Sequence, residues 1–161
     1  MTATAQALWY VAPGKAEIRA EPVAPPAEGE VRVRAVASAL SRGTERLIFA
    51  GGVPESEYER MRAPFMSGTF PFPVKYGYAM VGRVDEGPTD LKGRLCFALY
   101  PHQTVFNLAA ENIVPLPEGS AGVRGPFLWL TRIRGCDSSA WATISQGTQA
   151  WMALPGANWA P

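Results

Sequence analysis

Apolar and polar positions alternate most clearly near the N-terminus. From Gln6 to Val11, Leu8 and Tyr10 fall on one face and Trp9 and Val11 on the other, which predicts a strand. Ala12-Pro13-Gly14-Lys15 follows with turn chemistry, and Lys15 to Arg19 is placed to return as the second arm of a hairpin. The prolines of Glu21 to Gly29 predict a loop. Glu30 to Ala37 is the strongest strand: Val31, Val33, Ala35 and Ala37 share a face, with Arg32 and Arg34 opposite. That pattern predicts one buried face and one wet face.

The period then changes. Ser41 is placed to cap a short helix running to Phe49, which Gly51-Gly52 would end. A second short helix is predicted from Pro54 to Ala63, acidic at its start and basic at its end, with Tyr58 and Met61 facing inward. A proline-punctuated, aromatic loop carries Phe65, Phe70 and Phe72. Beyond it, strands are predicted at Tyr76 to Val84, Gly93 to Leu99, Thr104 to Leu108 and Asn112 to Leu116. Gly93 to Leu99 is apolar almost throughout and should be buried on both sides. Six or so short strands with few helices predict a mainly β fold, a small and partly open barrel.

Composition sharpens this reading. Fifteen prolines and 16 glycines in 161 residues suit a turn-rich β fold rather than a helix bundle. The net charge of +1, without a basic cluster, gives no reason to expect nucleic acid as a partner. No apolar run reaches the length of a membrane-spanning helix, and Met1 to Ala7 lacks the features of a secretory signal, so a cytoplasmic protein is expected. Cys96 and Cys136 form no CxxC and read as reduced thiols. The character of the chain changes near residue 120. Only Arg124, Arg132, Arg134 and Asp137 are charged beyond that point, yet four of the five tryptophans lie there. Two units are therefore expected: a folded domain over residues 1–119 and an atypical, irregular Trp-rich tail over 120–161. An altered-frame or truncated end, a divergent extension, and a segment that packs on a missing domain are all readings of such a tail.

The order of the pieces resembles the GroES-like catalytic domain of the medium-chain dehydrogenase/reductase family, which includes zinc alcohol dehydrogenases and quinone reductases. The matching stretches are Glu30 to Ala35, Gly43-Thr44-Glu45, Tyr76 to Val84, and Ile113 to Gly119, within residues 6–119. The Ser41-Arg42-Gly43-Thr44-Glu45 box is most similar to branches without the usual metal, including relatives of bacteriochlorophyllide dehydrogenase. Zinc members carry a Cys ligand, then a His and a Glu, where this chain has Arg42, Tyr78 and Ala79. Arginine is a permanent cation and cannot ligate zinc, so no zinc is expected. Cys96 and His102 lie six residues apart with no further ligand in view.

The resemblance implies a metal-free hydride-transfer site. Its carbonyl-polarising and proton-exchanging groups would come from Thr44, Tyr78, His102 and Glu45, with Glu45 orienting Tyr78 or pairing with Arg42. Arg42, Tyr100 and Gln103 are candidate substrate-binding residues. Each also has an ordinary reading: Thr44 as a helix cap, Tyr78 as a barrel-wall aromatic, His102 as a loop histidine and Arg42 as a solvated loop cation. The aromatic loop either lines a substrate mouth or only closes a barrel end.

The family binds NAD or NADP on a Rossmann domain, and no GxGxxG occurs in this chain. The expectation is a catalytic-domain fragment of a zinc-independent NAD(P)-dependent oxidoreductase. It would act on a small carbonyl or alcohol in the parent enzyme, hold no cofactor stably by itself and be inactive alone, with a homo-oligomer open. The alternative is a non-enzymatic GroES-like module that docks a protein through the loop from Ala50 to Pro73.

Overall fold

The N-terminal alternation forms a hairpin of β1 (Ala3–Ala12) and β2 (Lys15–Val23), closed at Ala12 and Lys15 with Gly14 at φ +69°. The structure, a computed structural model, describes residues 2–117 and the strand Trp151–Ala153. β2 continues past Arg19, and Pro22 lies within it opposite Thr4. The predicted loop therefore starts later, because β2 is an edge strand and an edge tolerates a residue that cannot donate.

β3 (Glu30–Ala39) is the centre of the second sheet. One edge pairs with β6 (Met80–Glu86), and the other pairs first with β8 (Val105–Ala109) and then with β10 (Trp151–Ala153). β7 (Leu95–Ala98) and β9 (Ile113–Pro115) extend the sheet beyond β6. The first sheet is completed by β5 (Val74–Lys75) against β1 and by β4 (Ser67–Gly68). Residues 102–104 join the two sheets. Leu8 N–H donates to the His102 carbonyl at 2.9 Å, Thr104 N–H to the Gln6 carbonyl at 3.0 Å, and Ala35 N–H to the Thr104 carbonyl at 2.8 Å. The result is a mainly β, curled half-barrel with few helical turns, as the sequence predicts. Among the described residues no helix is long and apolar enough to cross a membrane.

Val31, Val33, Ala35, Val84, Met80, Cys96, Ala98 and Phe106 fill the barrel interior. Val81, Phe97 and Leu116 form a smaller cluster of their own. β7 is thus buried on both faces, the consequence of its continuous apolar run. Burial of each such aliphatic or aromatic side chain contributes about 1.5–3 kcal/mol.

Three expectations need correction. Arg32 does not face water: its side chain is 5% exposed, paired with Glu86 at 2.6 Å and donating to the Ala24 carbonyl at 2.7 Å. Flanking strands on both edges of β3 and the returning β2–β3 loop supply acceptors on that face, so only Arg34 stays in solvent, beside Asp85. The helix predicted from Pro54 to Ala63 is one short 3-10 turn, Glu55–Glu57, followed by irregular turns. Its Tyr58 and Met61 nevertheless pack inward against Tyr10, Ile48 and Phe70, as their spacing suggested. The strand predicted from Tyr76 begins only at Met80, because Gly77 at φ +135° takes residues 76–79 out of extended conformation. In the tail, Trp151–Ala153 pairs antiparallel with Ala37–Ala39. The reading of residues 120–161 as an irregular, altered or truncated end otherwise falls outside the described residues.

Gly82 marks the closest approach of β6 to β3. A Cβ there would sit 2.3 Å from Val33 Cγ1 and 2.8 Å from the Arg34 carbonyl oxygen. Gly82→Ala is expected to destabilise the fold by about 1–3 kcal/mol through overpacking, measured as a lower urea midpoint with unchanged slope.

Candidate functional site

Helix α1 (Thr44–Phe49) opens the site. The N-cap is Gly43, without a side-chain cap, and Ser41, two residues before it, accepts from Thr44 N–H through Oγ at 3.3 Å instead of capping directly. Gly51 at φ +71° donates to the Ile48 carbonyl, and Gly52 to the Leu47 carbonyl, which is the Schellman ending that glycine permits. With both ends fixed, Glu45 and Ile48 point inward.

The Glu45 carboxyl group is 3% exposed and meets polar groups from three segments of the chain. Ser41 N–H donates to Oε1 at 2.9 Å, and Tyr10 O–H donates to Oε2 at 2.8 Å. His102 Nε2 lies 2.6 Å from the same Oε2, with its side chain fully buried. His102 is held there by its backbone, which accepts from Leu8 N–H and donates to the Tyr76 carbonyl at 3.3 Å. Its ring lies against Gly77, where a Cβ would come within 2.8 Å of Cδ2 and Nε2. Only glycine fits that contact, at a backbone conformation that also favours glycine.

Two half-buried hydroxyl residues adjoin these contacts along the chain. Thr44 precedes Glu45 on the first turn of α1 and is half-buried. Tyr78 follows Gly77, is also half-buried, and meets the Tyr76 ring edge-on at 6.1 Å. Of the four residues singled out as catalytic, Glu45 and His102 are in direct contact, Thr44 adjoins Glu45 in the chain, and Tyr78 follows the glycine on which the imidazole packs. The fold does not use Glu45 as expected: the carboxylate engages Tyr10 and His102, not Tyr78 or Arg42. Arg42 is exposed, with no ion pair among the described residues.

Tyr100 and Gln103, the other substrate-binding candidates, lie on the same connecting segment with different surroundings. Tyr100 is stacked between buried Phe106 at 4.0 Å and exposed Phe65 at 5.3 Å. Phe65 has φ +59°, an uncommon conformation for a bulky residue. Gln103 is buried with both ends of its amide engaged: Oε1 accepts from Lys75 Nζ at 2.9 Å and Nε2 donates to the Val105 carbonyl at 2.6 Å. Lys75 also donates to Glu21 at 2.6 Å, and Glu21 accepts from the Trp9 indole.

Sequence reasoning missed Tyr10 and Lys75. Tyr10 presented itself as one more inward apolar position in an alternating strand, and Lys75 as part of a loop. Burial, and then the charge of Glu45, push the Tyr10 phenol far above its ordinary range. Tyr76 is pushed up to about 12 by burial, then by Tyr78 and Glu45. Tyr100 is likewise pushed up to about 12, by burial and then the charges of Glu21 and Glu30.

Glu45→Ala leaves three buried donors without an acceptor and is expected to cost about 3–5 kcal/mol. Arg34→Ala, at the exposed pair with Asp85, should cost under about 1 kcal/mol. Urea unfolding of both variants checks the contrast. The tyrosines give a separate expectation at high pH. Because folding raises the Tyr76 and Tyr100 values above the ordinary phenol value of about 10, their contribution to stability is complete below about pH 10 and is lost as pH rises towards about 12. Absorbance titration at 295 nm should show both phenols ionising above the range of free tyrosine.

No family model matches the chain, and no curated protein matches it. Forty-four chains among solved structures do. A protein of Bacillus thuringiensis described as an NADPH:quinone reductase aligns with 89% of this chain at TM-score 0.59 and 17% identity. An alcohol dehydrogenase (rspB) of E. coli CFT073 complexed with NADH aligns with 78% at TM-score 0.55 and 15% identity. An Etr1p mutant in complex with NADP and crotonyl-CoA aligns with 73% at TM-score 0.54 and 17% identity. The chain covers 41%, 42% and 34% of those structures, respectively, well under two thirds of their length. At these identities the likeness establishes a shared fold: the described residues take the β-domain architecture found in part of each of these enzymes.

Proposed function

We propose that this chain is the substrate-side, GroES-like domain of an NAD(P)-dependent oxidoreductase of the medium-chain dehydrogenase/reductase type, working on a small carbonyl or alcohol without zinc. The observation that carries the reading is the buried Glu45–His102 contact, with the hydroxyl residue Thr44 next to Glu45 in the chain and Tyr78 next to the glycine that packs on the imidazole. The fold shared with enzymes seen in complex with NADH, or with NADP and crotonyl-CoA, supports it.

In this reading the Thr44 and Tyr78 hydroxyls donate to the substrate oxygen and exchange its proton. Glu45 and His102 are sealed from solvent and act as positioning residues, holding the first turn of α1 and the Gly77-Tyr78 segment in fixed relation. The Tyr100 ring, stacked on Phe106, presents an apolar wall, and exposed Arg42 suits an anionic part of a substrate. Gln103 serves the junction between the sheets.

The donor set does not fit zinc. Among the described residues no three His, Cys, Asp or Glu side chains cluster to hold a metal ion, and the box preceding Thr44 offers Arg42. Nor do the described residues form a dinucleotide cradle: α1 has six residues and no glycine-rich turn leads from a strand into it. A nicotinamide nucleotide, held by a second domain, would supply or take the hydride.

Amide NMR titration with crotonyl-CoA, followed by cyclohexanone, tests the reading. Shift changes should centre on Thr44, Tyr78 and Tyr100, and Thr44→Val combined with Tyr78→Phe should weaken binding about 10- to 100-fold, the loss of one to two hydrogen bonds. NADPH should not be consumed by the chain alone. Perturbations confined to the loop from Ala50 to Pro73, or binding indifferent to both substitutions, would refute the assignment.

A further inference from the structure

The short contact between His102 Nε2 and Glu45 Oε2 can be written with the proton on either partner. The surrounding donors decide between the two. Ser41 contributes a backbone N–H, which can only donate, so Oε1 is an acceptor. Tyr10 O–H meets Oε2, the oxygen that also faces His102. A carboxylate that already accepts from these two donors is favoured in its ionised form, which can only accept from His102. The opposite end of the ring agrees. His102 Nδ1 is buried and has no hydrogen-bond partner among the described residues. A proton on Nδ1 would be an orphaned buried donor, which folded proteins rarely tolerate, whereas an unshared lone pair there is the lesser penalty.

We propose that Tyr10 is a positioning residue which, through Glu45, holds the ring proton of His102 on Nε2 and leaves Nδ1 as a lone-pair acceptor inside the barrel. The Tyr10 hydroxyl fixes the second lone pair of Oε2, so that the remaining one points at the imidazole. The ring orientation set in this way also sets the segment packed on it, Gly77 and then Tyr78. Four segments meet here: β1 through Tyr10, the turn into α1 through Ser41 and Glu45, the 76–79 segment through Tyr76 and Tyr78, and the 99–104 connection through His102. The burial and raised phenol of Tyr10 are consistent with a group that stays a donor. The relevance of this arrangement to catalysis rests on the proposed oxidoreductase reading; the tautomer does not.

His102 is the only histidine in the chain, so long-range 15N–1H correlation of the imidazole reports this residue alone. At neutral pH the wild-type ring should show a protonated-type Nε2 and a widely separated, lone-pair-type Nδ1. In Tyr10→Phe, which keeps the aromatic ring and its edge contact with Phe49, that separation should shrink as the two tautomers mix, with shifts at the Gly77 and Tyr78 amides. A wild-type ring protonated on Nδ1, protonated on both nitrogens or averaged between tautomers would overturn the proposal, as would a Tyr10→Phe ring identical to wild type. The wild-type spectrum decides the tautomer even if the variant does not fold. Carbonyl binding that fails in the titration above while the Nε2–H tautomer is present would remove the oxidoreductase reading and leave this one standing.

Discussion

One buried carboxylate, that of Glu45, sets the geometry on which the site depends. An ionised group 3% exposed is costly to desolvate, and the cost is offset only where hydrogen bonds saturate it. Here the donors come from Tyr10 on β1, Ser41 before α1 and His102 between β7 and β8. Each lies in a different segment, so satisfying one charge ties the hairpin sheet, the helix and the inter-sheet connection together. Gly77 completes the arrangement by letting the chain pass directly over the imidazole.

A second polar junction reinforces the seam a few residues away. Lys75, 6% exposed, binds Glu21 and Gln103, and Glu21 in turn receives the Trp9 indole. Lys75 Nζ and Arg19 also lie over the Trp9 ring, at 5.8 Å and 5.1 Å. The two junctions occupy opposite faces of β1, since Trp9 and Tyr10 are consecutive residues of one strand. β1 is thereby clamped against the rest of the molecule on one side by a histidine–carboxylate pair and on the other by a lysine–carboxylate pair. Arg32 repeats the device on β3. Buried charge at the sheet junctions fixes how the two sheets meet, while the apolar interior supplies most of the stabilisation.

This chain covers only 34% to 42% of the solved enzymes that share its β domain. Within the proposed reading the division of labour is physical. The half-barrel supplies hydroxyl groups held at a fixed mouth with aromatic walls beside them, and a partner domain supplies the hydride carrier. A sealed Glu45–His102 pair suits rigid placement better than direct proton exchange, since proton transfer requires contact with the reacting atom.

Alternation of side chains determined the hairpin and β3, because a strand with a period of two must send alternate residues to opposite faces whatever lies beyond it, and an unbroken apolar run determined the doubly buried β7. The Ser41 to Glu45 box placed a helix start nearby, and its resemblance to a known family, not its spacing, put Thr44 and Glu45 among the candidates. What the sequence left open depends on groups far apart in it. Whether Arg32 meets water depends on Glu86 and Ala24, whether residues 76–79 extend depends on a ring at position 102, and whether the 54–63 segment coils depends on the cluster it must cover. Tyr10 and Glu45 are 35 residues apart, and Glu45 and His102 are 57 apart. Local patterning can announce that each will be buried, but only chain closure decides which buried donor meets which acceptor, because a hydrogen bond is specified by position in space and not by spacing along the chain.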